Sequence, residues 1–308
     1  MVKNEKNDLK AYTYEVLESD IRMLKLDFPE MEIGSIGKSV WGKNLYYIRI
    51  GSGKNKISYN GAHHGMEWIT SAMLVKFARD YMQAKKGGVS LGGFNIPELD
   101  RNTSVYIIPM VNPDGVELAA KGLPCDMDGS VREKLIKMNG SEDFSRWQAN
   151  AAGVDLNHNY DALWGKSKEM EKEYGIYGPG ATRYSGDKPE SEPESHALAE
   201  FTRQHDFRMV IAFHSQGRVI YHGFENKEPP CALSIAKAFT CISPYTLDDT
   251  EGIASYAGYK DWFIDRFNRP GYTVEVGMGE NPLPLEQFPY IYNDTLPILL
   301  GAMTVILP

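Results

Sequence analysis

The segment Gly61-Ala-His-His-Gly-Met-Glu-Trp68 places a nitrogen donor, His64, three residues before a carboxylate, Glu67. If the backbone turns helically there, both side chains leave on one face and can close on a single divalent cation. Imidazole and carboxylate ligands together favour zinc. The pattern therefore predicts a zinc site, with hydrolysis as the leading chemistry. His63 lies four residues before Glu67 and would share the same face, so spacing alone leaves two histidines to choose from.

A zinc ion that does chemistry needs about three protein ligands and a position left open. His214 is the candidate for the third ligand. It follows the apolar run Met209-Val-Ile-Ala-Phe213, which is typical of a buried strand, and ligands in open α/β sheets lie at strand ends. A lone histidine is more often a hydrogen-bonded core or surface residue. The paired spacing and the strand-end position together reverse that preference.

Other hydrolytic arrangements have no support in the sequence. Neither His-Glu-x-x-His nor Gly-x-Ser-x-Gly occurs, so the helix-borne protease motif is absent and a serine nucleophile elbow is unsupported. The three cysteines, Cys125, Cys231 and Cys241, lack the Cys-x-x-Cys spacing of a structural zinc site. We expect reduced thiols in a cytoplasm.

The composition is that of a globular protein without an electrostatic footprint for polyanions. The chain has 308 residues, 42% hydrophobic and 24% charged, with a formal charge of -8. We therefore expect no nucleic-acid partner. The first ten residues carry charges of both signs and no apolar core, and the apolar stretch 298–307 is too short to span a bilayer. We expect a cytoplasmic protein with no membrane partner.

Strand-like and helix-like patterns alternate along the chain, which predicts an α/β fold. We expect a single metallopeptidase domain over residues 1–308, with a central, mixed, largely parallel twisted sheet flanked by helices. The predicted strands cover residues 45–50, 56–61, 104–110, 209–214 and 271–276. The predicted helices cover residues 8–26, 68–82, 192–205 and 229–242, with a last helix from about residue 294. We expect Asn112-Pro-Asp-Gly115 to form a turn, and residues 117–193 to form long loops and short helices over the sheet.

Glu275 is a charged residue inside the β-prone run Gly271-Tyr-Thr-Val-Glu-Val-Gly277. A charge in a strand is unfavourable unless it is paired, solvated or used. A glutamate beside a zinc site could move a proton from the attacking water to the leaving nitrogen. An edge-strand carboxylate that faces solvent is the alternative.

Asn157 and His158 lie in the polar turn Gly153-Val-Asp-Leu-Asn-His-Asn-Tyr160 and are candidates to hold a substrate carboxylate. Asparagines in turns are commonly structural. Arg146 is one of many arginines, and on the residue alone it is a solvated surface charge.

Five motifs occur in an order that resembles the zinc carboxypeptidase A family. They are His64-Gly-Met-Glu-Trp-Ile69, Asn112-Pro-Asp-Gly115, Gly153-Val-Asp-Leu-Asn157, Phe213-His-Ser215 and Thr273-Val-Glu275. The local versions Arg146-Trp-Gln-Ala-Asn150, Ser191-Glu-Pro-Glu194 and Asp261-Trp-Phe-Ile264 are similar to the bacterial branch that cleaves the γ-D-glutamyl bond to diaminopimelate.

The resemblance implies a role for each site residue. His64, Glu67 and His214 match the ligands of one zinc ion per chain, because the family's histidine precedes its glutamate by three residues. Glu275 matches the glutamate that activates the attacking water. The resemblance also implies that Arg146 is the arginine that stabilises the oxyanion and that Asn157 is the asparagine that binds the substrate carboxylate. It implies that Tyr256 is the mobile tyrosine that covers the substrate, with Tyr259 as the alternative.

His158 departs from the family pattern, because carboxypeptidases usually carry an arginine there. Histidine lacks the permanent charge and the two-pronged donor geometry of guanidinium. The histidine at this position weakens the interpretation of the chain as a general carboxypeptidase. It is compatible with a substrate whose carboxylates are placed differently. Arg183 is a candidate to compensate.

We therefore expect a zinc metallopeptidase that acts on a small peptide or muropeptide. The alternatives are a carboxypeptidase for ordinary peptides, an N-acyl amidohydrolase for small molecules and a non-catalytic peptide-binding module.

Overall fold

Apolar, β-branched runs form the centre of an eight-stranded sheet in the computed structural model, which describes residues 11–249 and 252–307. The strands are β1 Glu32–Lys38, β2 Asn44–Ile50, β3 Asn55–Gly61, β4 Ser90–Leu91, β5 Phe94–Asn95, β6 Thr103–Ile108, β7 Phe207–His214, β8 Val219–Tyr221, β9 Thr246–Leu247 and β10 Gly271–Glu275. The helices are α1 Tyr14–Asp27, α2 Ile69–Gly87, α3 Ile96–Asn102, α4 Pro113–Lys121, α5 Gly129–Asn139, α6 Trp164–Glu173, α7 Pro193–Gln204, α8 Cys231–Ile242, α9 Tyr259–Phe267 and α10 Phe288–Thr304.

The strand order in the large sheet is β1-β2-β6-β3-β7-β10-β8-β9, and β4 and β5 pair separately. β3 is parallel to both β6 and β7, and β10 is parallel to β7. Antiparallel pairs occur on both sides of this centre, between β1 and β2, β2 and β6, and β10 and β8. The predicted fold class, one α/β domain with a mixed, mostly parallel sheet flanked by helices, is confirmed.

The central strands are buried on both faces. In β7, Met209 and Ile211 belong to the core on one face of the sheet, whereas Val210 and Ala212 belong to the core on the other. The first core contains side chains of α1, α2, α8 and α10, and the second those of α7 and α9. Each fully buried aliphatic side chain contributes roughly 1.5–3 kcal/mol to stability. Continuous apolar runs are what a parallel strand covered on both faces requires.

Several predicted boundaries differ from the observed ones. α1 begins at Tyr14, after Thr13, whose hydroxyl accepts a hydrogen bond from the N–H of Val16. The part of that predicted helix at residues 8–10 lies outside the described residues. Asn112-Pro-Asp-Gly115, predicted to be a turn, instead begins α4, because the Asn112 side chain accepts from the N–H of Gly115 and caps the helix.

The elements that the sequence prediction missed include β1 and α9. β1 contains two glycines and shows no alternation of apolar and polar residues. α9 is nine residues long and carries a lysine and two aspartates among its aromatic residues. Within the described ranges, no helix combines the length and the apolar character that crossing a membrane requires.

Candidate metal centre and catalytic cleft

Three adjacent parallel strands, β3, β7 and β10, end at the same edge of the sheet. Gly61 at the end of β3 lies opposite Phe213, and His214 at the end of β7 lies opposite Glu275 at the end of β10. After β3 the chain forms a single 3-10 turn, Gly65–Glu67, before α2 begins. This arrangement brings the side chains of two distant sequence segments to one point.

His64, Glu67 and His214 form a cluster whose ligand atoms converge. Nδ1 of His64 lies 2.8 Å from Oε1 of Glu67, and Nδ1 of His214 lies 3.0 Å from Oε2 of the same carboxylate. The two Nδ1 atoms are 3.3 Å apart. Zinc bonds of roughly 2.0–2.2 Å place neighbouring ligand atoms about 3–3.5 Å apart, so these separations fit one ion.

The hydrogen bond behind His64 also fits a metal ligand. Nε2 of His64 lies 3.2 Å from Oδ1 of Asp155, and a carboxylate only accepts, so His64 donates from Nε2. Nδ1 is then the nitrogen of His64 that can offer a lone pair to a metal. Two imidazole nitrogens and a carboxylate that converge on one point are the donor set of a catalytic zinc site.

Glu67 is held as an anion although it is buried. Burial alone would raise the pKa of Glu67, but the neighbouring His64 and His214 outweigh that effect and lower the pKa to about 2. The carboxylate therefore offers its charge to a metal across the neutral pH range.

His63 packs behind the cluster. Its ring is fully buried, stacks on His214 with centroids 5.5 Å apart, and places Nε2 3.1 Å from the hydroxyl of Tyr160. Burial holds the pKa of His63 well below its usual value. The geometry thus resolves the choice that spacing left open, because it is His64 that meets Glu67 and His214.

Glu275 is half-buried beside the cluster, at the end of β10. Burial raises the pKa of Glu275 well above its usual value, and the negative charge of Glu67 adds to the effect. Thr273, two residues earlier on the strand, and Glu275 line one cavity together. A carboxyl group with a raised pKa next to a metal site has the properties of a general base.

Two cavities, of about 520 Å³ and 640 Å³, meet at the cluster. His64, Tyr221 and Glu275 line both of them. We call the smaller one the inner cavity; its other lining residues include Asn157, His158, His214, Asp248, Asp249, Lys260, Asp261 and Thr273. We call the larger one the outer cavity; its other lining residues include Met66, Glu67, Arg146, Gln148, Gln216, Glu280 and Asn281. A peptide that spans both would place one bond at the junction.

Asn157 and His158 lie in the inner cavity in fixed orientations. Oδ1 of Asn157 accepts from the backbone N–H of Tyr259 at 3.1 Å, which leaves the Nδ2 amide as the donor of that side chain. Nδ1 of His158 donates to the carbonyl of Tyr256 at 3.2 Å. Both residues are therefore held by α9 and the segment just before it.

The two arginines lie in different places. Arg146 lines the outer cavity together with Glu67 and Glu275, is 72% exposed and pairs with Glu280 at 2.6 Å. The guanidinium of Arg183 lies over the ring of Tyr174, 5.6 Å from its centroid, and Arg183 lines neither cavity. In this structure Arg183 therefore does not replace the positive charge that an arginine at position 158 would provide.

The structure does not place either predicted lid tyrosine over the cluster. Tyr256 lines a neighbouring pocket beside Phe224 and Glu225, where the Nζ of Lys166 lies 5.2 Å from its ring centroid. Tyr259 is fully buried and its hydroxyl pairs with Thr202 at 2.9 Å, so it belongs to the core. The tyrosine that lines both cavities is Tyr221, which β8 places opposite Thr273 of β10.

Sequence reasoning missed Asp155 and Lys260 as well as Tyr221. Asp155 lies inside the quoted motif Gly153-Val-Asp-Leu-Asn157, and an acidic residue there could have been considered as a partner for a ligating histidine. Lys260 is part of α9, which was not predicted. No sequence signal marks Tyr221 among the 18 tyrosines.

Comparison with known proteins agrees with this site. A family model described as zinc carboxypeptidase matches residues 17–298. The chain is 40% identical to gamma-D-glutamyl-L-diamino acid endopeptidase 1 of Lysinibacillus sphaericus over 298 residues, which cover 96% of this chain and 73% of that protein. Bovine thrombin-activatable fibrinolysis inhibitor has a similar fold, with a TM-score of 0.72, 19% identity and coverage of 96% of this chain and 97% of that one. The fold of murein-tripeptide amidase MpaA from Escherichia coli O157 is also similar, with a TM-score of 0.53, 22% identity and coverage of 87% and 91%.

Proposed function

The chain belongs to the zinc carboxypeptidase family, and from that premise we propose that it hydrolyses the amide bond between the γ-carboxyl group of D-glutamate and diaminopimelate in small peptides derived from peptidoglycan. The observation that carries the proposal is the convergence of His64, Glu67 and His214 beside Glu275, at the junction of two cavities. The choice of bond is supported by the similarity to a γ-D-glutamyl-L-diamino acid endopeptidase.

Nδ1 of His64, the carboxylate of Glu67 and Nδ1 of His214 would hold the zinc ion. When bound, zinc supplies Lewis acidity at the junction of the cavities, where the scissile carbonyl and the attacking water meet. Asp155 keeps the ring of His64 in the required tautomer by accepting from Nε2.

Glu275 is the proposed proton carrier. It takes a proton from the water that attacks the scissile carbonyl carbon, and the new carbon–oxygen bond forms. It then gives that proton to the nitrogen of the leaving diamino acid as the carbon–nitrogen bond breaks. The raised pKa of Glu275 suits both transfers, because it makes the carboxylate a stronger proton acceptor than an ordinary glutamate.

Arg146 is proposed to offset the negative charge that develops on the carbonyl oxygen. Its position in the outer cavity, with Glu67 and Glu275, supports this role. In the absence of substrate the guanidinium pairs with Glu280 at the rim, so the role requires this exposed ion pair to open.

The leaving diamino acid is assigned to the inner cavity, and the γ-glutamyl part to the outer one. The Nδ2 amide of Asn157 is the donor available for the carboxylate next to the scissile nitrogen. His158 lies beside it and adds a second polar group to the same wall.

We place this activity in the cytoplasm, on peptides already released from the wall. Cys125 and Cys241 are exposed free thiols, and such thiols persist in a reducing compartment. The proposed binding partner is the small peptide substrate.

The test is mass-spectrometric analysis of the products from L-Ala-γ-D-Glu-diaminopimelate, incubated with metal-free and with zinc-restored protein. We expect L-Ala-D-Glu and free diaminopimelate from the zinc-restored protein alone. A parallel panel of ordinary L-peptides with free C-termini covers the carboxypeptidase alternative. Release of C-terminal residues from that panel, with the γ-D-glutamyl peptide left intact, would contradict the proposal.

Glu275→Gln separates catalysis from metal binding. We expect turnover to fall by about 10²- to 10⁴-fold while the protein keeps one zinc per chain, because Gln cannot carry the proton. Glu286→Gln, at an exposed position away from both cavities, is the matched control.

A further inference from the structure

The inner cavity contains a buried ion pair that the reaction does not use. Lys260 and Asp261, in the first turn of α9, have side chains only 3% and 4% exposed and contact each other through Nζ and Oδ1. Both line the inner cavity, on the wall that also carries Asn157. A buried charge pair contributes little to stability unless its remaining hydrogen-bonding groups are satisfied. Stability alone therefore does not explain this buried pair, which indicates a functional role.

The hydrogen bonding of this pair is incomplete. The Lys260 ammonium has three N–H donors; one points to the carbonyl of Gly223 at 2.6 Å and another side of the group faces Asp261. Oδ1 of Asp261 is buried and touches the ammonium, yet it accepts no well-aligned hydrogen bond from any described residue. Both residues line the inner cavity, so a ligand there can add a contact to either charged group.

The charges around the cavity select the kind of ligand. Asp248 and Asp249 are exposed and line the same cavity as Lys260 and Asp261, so one cation is surrounded by several carboxylates. An apolar side chain would add no partner to the buried pair. A side chain that ends in a carboxylate alone meets the repulsion of the aspartates, and one that ends in an ammonium alone meets Lys260. A group that carries both charges pairs with both.

We propose that Lys260 and Asp261 form the subsite for the distal amino acid centre of diaminopimelate. Lys260 pairs with the distal carboxylate, and Asp261 pairs with the distal ammonium. The proposal rests on the proposed function, because it places the diamino acid in the inner cavity. It makes Lys260 the residue that distinguishes diaminopimelate from lysine, which has the distal ammonium without the carboxylate.

The first experiment changes the substrate and leaves the protein intact. We compare L-Ala-γ-D-Glu joined to diaminopimelate, to diaminopimelate amidated at the distal carboxylate, and to L-lysine. We expect kcat/KM to fall about 10- to 100-fold for the last two, chiefly through KM, because a charge-assisted contact to Lys260 is lost. Equal kcat/KM for all three would overturn the subsite while leaving the proposed function in place. Hydrolysis of none of them would instead reject the proposed function.

The second experiment changes the lysine. Lys260→Met should remove most of the preference for diaminopimelate over its distal amide, whereas Lys237→Met, on the exposed face of α8, should leave the preference unchanged. A Lys260→Met protein that folds and keeps the full preference would overturn the proposal.

A binding measurement covers the case in which Lys260→Met does not fold. Calorimetry with zinc-loaded Glu275→Gln protein should show free diaminopimelate binding at least about tenfold more tightly than free lysine. Equal affinities would count against the subsite, and this readout does not depend on turnover.

Discussion

Asp155 organises the site from behind the metal ligands. Its carboxylate accepts from Nε2 of His64, from the backbone N–H of Asn157 at 3.2 Å and from the backbone N–H of Arg183 at 2.9 Å. Burial would raise the pKa of Asp155, but His64, His158 and these hydrogen bonds lower it well below its usual range. The carboxylate of Asp155 thus orients the metal-ligating His64 and anchors the turn that carries Asn157.

We expect Asp155→Asn to weaken zinc binding by about 10- to 100-fold, because the amide accepts more weakly from His64 and no longer supports its basicity. Competition with a chelator of known affinity measures the change. Asp161→Asn, at an exposed position in the same loop, should leave the zinc affinity as it is. Unchanged affinity in the Asp155 variant would mean that this carboxylate is only structural.

Arg146→Ala should lower kcat/KM for the γ-D-glutamyl peptide by about 10²- to 10³-fold, because the developing oxyanion loses a donor. The zinc content and the unfolding midpoint should stay the same, since the side chain is largely exposed. Steady-state kinetics beside Arg266→Ala, an exposed arginine of α9, measures the effect. A loss below threefold would remove Arg146 from the mechanism.

At the scale of elements, helix α4 supports the turn that carries the metal ligands. Asn112 caps α4 through Oδ1, and its Nδ2 amide donates to the carbonyls of His63, Gln148 and Ala149. The backbones approach closely here, because a Cβ on Gly65 would lie 2.3 Å from the carbonyl oxygen of Gly115. One buried side chain therefore ties three segments together.

Asn112→Ala should lower the free energy of unfolding by about 3–5 kcal/mol, because it removes a helix cap and leaves buried carbonyls without donors. Asn95 provides the matched control, since it caps α3 from an exposed position by accepting from the N–H of Glu98. We expect about 0.5–1 kcal/mol for Asn95→Ala. Denaturant titration gives both values, and similar losses for the two variants would contradict this account.

The sequence predicted those elements whose apolar pattern is strong, and the ends of β3, β7 and β10 are among them. These strand ends predicted Glu67, His214 and one of two histidines as a cluster, and the resemblance to a known family selected His64 and gave Glu275 its role. The inner cavity was not predictable in the same way. Lys260 and Asp261 sit in a short helix whose pattern is broken by the very charges that line the cavity, and the position of Tyr221 depends on strand pairing across the sheet.

On the scale of the whole molecule, buried carboxylates tie the outer strands to the helices. Glu194 of α7 accepts from the backbone N–H of Val40, between β1 and β2, at 3.0 Å, and from Nδ2 of Asn150 at 3.1 Å. Asp114 of α4 accepts from the N–H of Trp41 in the same connection. Burial raises the pKa of Glu194 to about 7, although both hydrogen bonds act in the opposite direction.

Glu194 should make stability depend on pH between about 4.5 and 7. Below this range the carboxyl group is protonated in both the folded and the unfolded chain. Within it only the unfolded chain ionises, so the free energy of unfolding falls as the pH rises, by at most about 3 kcal/mol. Above pH 7 the loss is complete.

The measurement is the difference in unfolding free energy between Glu194→Gln and the wild type across this range. We expect the variant to become more stable relative to the wild type as the pH rises. For Glu169→Gln, at an exposed position, the difference in unfolding free energy should not change with pH. A difference independent of pH would show that Glu194 ionises normally in the folded protein.

The sequence separation of the metal ligands has a consequence for biosynthesis. His64 and His214 lie 150 residues apart, on strands that meet only when β3 and β7 pair. A ribosome must therefore release the chain through the end of β7 before the ion can be captured, and closing so long a loop is slow. Capture of zinc is thus a late event, and the ion itself becomes a marker that distinguishes finished molecules from collapsed intermediates.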